Sequence, residues 1–174
     1  MSRWLRLTPV VLLALLIAAL VWRLSHPEDT TIRSRLAGQP VPAFALPAAL
    51  PGQPGLASTD LKGRPRLINI FASWCVPCVA EAPVLQELKR RGVIIDGIAI
   101  RDRPEDLAAF LAAHGNPFER IGADNASRVQ LALGSAGVPE SFVVDGRGII
   151  RHQHVGAIEP SDVPMILAQL EQAK

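Results

Sequence analysis

Two cysteines stand three residues apart in Trp74-Cys75-Val76-Pro77-Cys78, and the 174-residue chain has no others. The apolar run Leu67-Ile68-Asn69-Ile70-Phe71 precedes them and a helical pattern follows. A Cys-x-x-Cys pair between a strand and a helix puts the first sulfur at the helix N-terminus. There the peptide dipole and the unpaired N–H groups favour thiolate over thiol. The thiolate attacks disulfides, and a second cysteine one turn on can resolve the mixed disulfide. Cys75 is therefore expected to be the exposed nucleophile and Cys78 the enclosed resolving thiol. Competing chemistries fit less well. A structural zinc site usually needs four ligands, and the chain has no second Cys-x-x-Cys. Haem attachment needs His directly after the second cysteine, where Val79 stands. An inert crosslink over so short a loop would stabilise by less than the roughly 3 kcal/mol expected for a loop of about 15 residues. No metal is expected, and no cofactor beyond the Cys75–Cys78 pair itself.

Two carboxylates and two histidines could join this chemistry. Glu81 follows Cys78 by three residues, so a helix brings it near the face of that sulfur. Glu140 follows Pro139 in Gly137-Val138-Pro139-Glu140 and is expected on the rim of the site. A crowded carboxyl has a raised pKa and can exchange a proton with the resolving thiol; the plainer alternative is that both are solvated surface acids. His152 and His154 alternate along one strand, as metal ligands would, although a wet strand face explains them as well. Trp74, beside the nucleophile, reads as a packing and docking surface.

The elements that must hold these groups follow from periodicity and breakers. The segment from Gln39 to Pro54 has five prolines and reads as an extended lead into a short hairpin. Asp60 to Gly63 suggests one helical turn, and Arg66 to Ala72 a central strand. The active-site helix is predicted over Val76–Arg91, with Ala80, Val84, Leu85 and Leu88 on its buried face, a kink at Pro83 and a stop at Gly92. A strand over Val93–Ile100 is expected to break at Asp96-Gly97. Pro104–His114 is an amphipathic helix closed by Gly115. A short strand over Phe118–Ile121 and a short helix over Asn125–Leu133 follow. Ser141–Asp145 and Ile149–Val155 form a hairpin around Asp145-Gly146-Arg147-Gly148, and Pro160–Gln172 is the last helix. The order gives an α/β fold, a mixed sheet flanked by helices, and it is the order of thioredoxin.

The N-terminus has another character. From Leu7 to Trp22 no charge interrupts an apolar run flanked by Arg3, Arg6 and Arg23. Trp4 and Trp22 bracket it, roughly 27 Å apart as a helix, close to the thickness of a bilayer core. Residues 1–24 are read as an uncleaved transmembrane anchor, 25–38 as a tether and 39–174 as the folded domain. A cleaved signal peptide is the alternative, but Leu20-Val21-Trp22-Arg23-Leu24 offers no small-x-small site. The basic flank should stay in the cytoplasm, which puts the domain on the periplasmic side of the inner membrane. A net charge of +2, mixed along the chain, leaves no nucleic-acid footprint.

The chain resembles a known family. Asn69 through Cys78, with Glu81 and Pro83, is similar to membrane-tethered periplasmic thioredoxins, and Gly134 through Phe142 is similar to the Gly-Val-Tyr-Gly-Ala-Pro-Glu-Thr-Phe signature of the cytochrome c maturation thioredoxins, the CcmG/DsbE family. Arg103-Pro104-Glu105-Asp106, Gly115-Asn116-Pro117-Phe118 and the stretch Asp145 to Gly156 extend the likeness. Ser135-Ala136 stands where the family has Val-Tyr, which removes an aromatic from the substrate rim. The resemblance implies a thioredoxin-like fold in which Pro139 is cis and sits against the disulfide. An extended substrate would then pair with Val138, beside Trp74 and Glu140. Ordinary thioredoxins carry an acid where this chain has Asn69, so any carboxyl relay must come from elsewhere. The implied activity is thiol:disulfide oxidoreduction, with apocytochrome c or a maturation protein as client and a CcdA/DsbD-like membrane thiol transporter as electron donor. Other expectations are a reductant for cytochrome oxidase copper sites and a copper-binding chaperone using the thiols and His154.

Overall fold

The computed structural model describes residues 9, 12–19, 21, 22 and 36–174. The chain divides into two compact units, Met1–Ile32 and Arg33–Lys174. In the first, residues 12–19, 21 and 22 are helical, with Leu12, Leu13, Leu15, Leu16 and Trp22 among its exposed side chains. Among the described residues no helix is long and apolar enough to cross a membrane. The anchor expected over 1–24 and the tether over 25–38 lie largely outside the described residues.

The second unit is built on a five-stranded sheet. Its elements are β1 (Ala45–Leu46), β2 (Leu56–Ala57), a 3-10 turn (Ser58–Leu61), β3 (Arg66–Phe71), α1 (Val76–Arg90), β4 (Ile95–Ile100), α2 (Pro104–His114), β5 (Arg120–Asp124), α3 (Arg128–Ala132), β6 (Glu140–Val144), β7 (Ile150–Val155) and α4 (Val163–Gln172). The strand order is β5-β4-β3-β6-β7. Strands β3, β4 and β5 run parallel, and β6 and β7 are antiparallel additions. Every residue of β3 is buried, as its mostly apolar run requires of a central strand, and its two polar residues find partners there, Arg66 in Asp96 and Asn69 in Glu81 and Ser141.

Side-chain alternation assigns the two faces. Asn69 and Phe71 share one face. Asn69 meets Glu81 of α1, and the Phe71 ring lies 5.9 Å from Phe110 of α2 and stacks 4.5 Å from Phe118. The β1–β2 hairpin covers the other face, where a Cβ at Gly122 would stand 2.7 Å from Leu46.

Strand β4 does not break at Asp96-Gly97; it is continuous from Ile95 to Ile100. Asp96 is held by the Arg66 guanidinium at 2.6 Å. Gly97 is required because a Cβ there would come within 2.8 Å of the Phe71 ring. The buried stripe of α1 also differs from expectation. It runs through Cys78, Glu81, Ala82, Val84, Leu85 and Leu88, while Ala80 is exposed. A carboxyl therefore occupies a core position. Strand β5 begins two residues later than expected, and α4 begins at Val163, after a turn in which the Asp162 carboxylate accepts the Glu159 N–H.

Candidate active site

The redox turn sits where β3 leaves the sheet. Cys75 is the N-cap of α1 with extended backbone, and its Sγ accepts the Cys78 N–H at 3.2 Å. Pro77 lies in the first turn, where its missing N–H costs no intrahelical bond. Cys75 and Cys78 are joined by a disulfide. Cys75, expected to be exposed, is only 4% accessible in this oxidised state. The flanking Trp74 and Val76 stand out at 57% and 78% instead.

Beneath the disulfide is a polar cluster. Glu81 Oε1 accepts the Asn69 Nδ2–H at 2.6 Å, and Oε2 accepts the Ile158 N–H at 2.8 Å. Asn69 Nδ2 also donates to Ser141 Oγ at 3.0 Å. Burial pushes the Glu81 carboxyl up to about 7, against the opposing pull of the bonds from Ile158 and Asn69. Glu81, Asn69 and Cys78 line one small cavity of about 10 Å³. Carboxyl and resolving sulfur thus share one enclosed space, and the carboxyl changes protonation near neutrality.

The opposite wall is the start of β6. Ile70 pairs with Glu140 where the ladder between β3 and β6 begins, and Val138-Pro139 immediately precede that pair. The Val138–Pro139 bond is cis. Pro139 O accepts the Gly156 N–H at 3.1 Å. Among the described residues, neither backbone group of Val138 has a hydrogen-bond partner.

Glu140 departs from the expected rim position. Its neighbour Ser141 shares a face with Asn69, so alternation turns Glu140 to the opposite face of the sheet. There it is buried, Oε1 accepts from Gln153 Nε2 at 3.1 Å, and Oε2 has no partner. Glu81 and Glu140 therefore do not converge. The histidines are half-buried rather than on a wet face. Burial, then His154, pulls the His152 pKa down, and His154 Nε2 lies 3.2 Å from Ala157 O. Among the described residues no three His, Cys, Asp or Glu groups are placed to hold a metal ion.

Sequence reasoning missed a second layer of contacts. Asp102, after β4, accepts the Ser73 N–H on Oδ2 and the Ser73 hydroxyl on Oδ1, each at 2.6 Å. The Trp74 indole donates to Arg101 O at 3.2 Å. One signal could have found Asp102: it is a charged residue just past the C-terminal end of a parallel strand, where such folds place their sites.

The sheet order and the helix-capping sulfur together define the class, the thioredoxin-like thiol:disulfide oxidoreductases. Residues 36–170 match the Redoxin family, and the chain belongs to it. Within that family its relatives are thiol:disulfide interchange proteins. It is 38% identical over 159 residues to the protein DsbE of Pseudomonas fluorescens biotype C, spanning 91% of this chain and 88% of that one. It is 36% identical over 159 residues to HelX of Rhodobacter capsulatus, spanning 91% and 90%. The solved structure of a putative DsbE from Chlorobium tepidum superposes with a TM-score of 0.63 at 27% identity, covering 79% of this chain and 96% of that one.

Proposed function

We propose that this oxidoreductase works as a reductant on the periplasmic side of the inner membrane, held there by residues 1–24. Its client is the disulfide of the Cys-x-x-Cys-His motif of apocytochrome c, or of a maturation protein that carries it. The observation that carries this reading is the Asn69–Glu81 pair under Cys78, because reduction needs an acceptor for the resolving thiol's proton. The likeness of Gly134–Phe142 to the cytochrome c maturation thioredoxins, and relatives named DsbE and HelX, support the choice of client.

The cycle starts from the dithiol. Cys75 thiolate attacks one client sulfur, the client S–S bond breaks, and one client thiolate leaves. Val138 pairs with the extended client, and Trp74 packs beside it. Glu81 takes the Cys78 proton. Cys78 thiolate then attacks Cys75 Sγ, closes the Cys75–Cys78 disulfide and releases the second client thiolate. Two electrons pass to the client. A CcdA/DsbD-like membrane thiol protein returns them by the same exchange in reverse.

Trapping tests the assignment. Cys78→Ala strands the mixed disulfide on Cys75, and the trapped partner should be apocytochrome c or a protein bonded to it. Deleting the gene should lower holocytochrome c, and added small-molecule thiol should partly restore it. Normal cytochrome c together with loss of oxidase copper would move the assignment to a copper-site reductant.

A further inference from the structure

The redox turn is braced from outside its own segment. Strands β3 and β4 run parallel with Phe71 beside Ala99, so both chains leave the sheet side by side. At that point Arg101 adopts left-handed backbone, φ +46. A side-chain-bearing residue avoids that region by about 1–2 kcal/mol. The bend brings the loop back to the redox turn, where Asp102 takes both the N–H and the hydroxyl of Ser73 and Arg101 O takes the Trp74 indole. Three donors from the two residues ahead of Cys75 thus end on one dipeptide.

The brace is anchored in turn. Arg101 Nε donates to Ser127 Oγ at 3.0 Å. Ser127 is fully buried and is itself left-handed, φ +53. It opens α3, whose first N–H groups at Arg128 and Gln130 are held at 2.9 Å each by the Asp124 carboxylate. Of the described residues other than glycine, only Arg101 and Ser127 have positive φ, and they are bonded to each other. Unfavourable backbone persists where surrounding contacts over-determine it, and such residues gather at functional sites. Glycine would turn at Arg101 without strain, but it could not reach Ser127.

We propose that Asp102 is a positioning residue for disulfide exchange: by gripping Ser73 it fixes the N-cap geometry of Cys75, and Arg101 with Ser127 fixes Asp102. The inference rests on the exchange chemistry of Cys75 and on nothing about the client. It assigns Asp102 a geometric role, not an electrostatic one. A carboxylate near Cys75 disfavours the thiolate by charge alone, whereas a well-held N-cap favours it through the helix N–H groups. The two roles have opposite signs.

Glutathione disulfide, used as a generic oxidant on the reduced full-length protein, separates them. Cys75 thiolate forms the mixed disulfide and releases one glutathione thiolate; Cys78 then closes the protein disulfide and releases the other. Asp102→Ala should slow this exchange about tenfold and raise the Cys75 thiol pKa, read from the pH dependence of iodoacetamide alkylation. Asp102→Asn should stay within about twofold of the parent, because its amide oxygen still accepts the Ser73 N–H and the hydroxyl can turn to accept from the amide. Ser73→Ala should slow exchange about threefold, and adding it to Asp102→Ala should slow it no further. Asp102→Asn as slow as Asp102→Ala would overturn the proposal. So would a lowered thiol pKa in Asp102→Ala, an unchanged rate in that variant, or additive slowing. If Asp102→Ala does not fold by circular dichroism, Ser73→Ala decides alone, since it keeps the backbone bond: slowing supports the brace and an unchanged rate overturns it.

Discussion

At the scale of single residues, the site depends on an amide placed against a carboxyl. Asn69 cannot titrate, so it donates to Glu81 in either protonation state of the acid. Replacing it with Asp would put two carboxyls at the separation of the present 2.6 Å bond. They could not both ionise, and one would be pushed further up. Asn69→Asp should therefore move the midpoint of the exchange pH profile by about one unit or more, read by stopped-flow exchange over pH 5 to 9. Glu81→Gln should flatten the profile near pH 7 without touching the fold; an unchanged profile would reduce Glu81 to a packing residue. Stability gives a second check. The folded carboxyl sits near 7 and an unfolded one near 4.5. The folded state therefore binds the extra proton, and this stabilising contribution is fully present below 4.5 and lost as pH rises through 7. In the oxidised protein the loss amounts to about 3 kcal/mol at most. Glu81→Gln should remove most of the decline between pH 4 and pH 8 in urea titrations.

At the scale of elements, two tight places make distinct demands. Gly97→Ala would drive a Cβ toward the Phe71 ring and should destabilise by about 1–3 kcal/mol, measured by chemical denaturation. The turn between β6 and β7 is held by Asp145. Burial opposes its charge, but the Ile149 N–H, the Arg151 guanidinium and the Arg147 N–H bring the carboxyl down to about 2. A depressed carboxylate stabilises above its unfolded pKa of 3.8, and that contribution fades as pH falls through 2. Asp145→Ala should cost about 1–3 kcal/mol at pH 7, because it orphans two backbone N–H groups and removes the carboxylate partner of a guanidinium, and less at pH 2, where the parent carboxylate is partly protonated and its ionic contribution is fading. Most elements were legible because a buried strand and an amphipathic helix print their period in the sequence. Strand β4 was not, since Asp96-Gly97 reads locally as a turn. What keeps it extended is Arg66, 30 residues earlier, and an aromatic cluster drawn from β3, α2 and the loop before β5. The cysteines and Glu81 were legible from spacing along one helix. Glu140 was misplaced because its face depends on the register with β3, and Asp102 was hidden because its partner lies 29 residues away.

At the scale of the whole molecule, the anchored reading makes its own demands. The protein should resist carbonate extraction from membranes, and its domain should be digested by protease in spheroplasts. Recovery of a shorter soluble form would mean that a signal is cleaved. Within the domain, the acid under the disulfide is tied to a distant part of the chain, because Glu81 accepts the N–H of Ile158, 77 residues on, in the loop that leads to α4. That amide is a built-in indicator. Its proton resonance should move downfield as the acid ionises, with a midpoint near 7, so an NMR titration of one backbone signal would report the charge beneath the sulfur pair with no label attached to either cysteine.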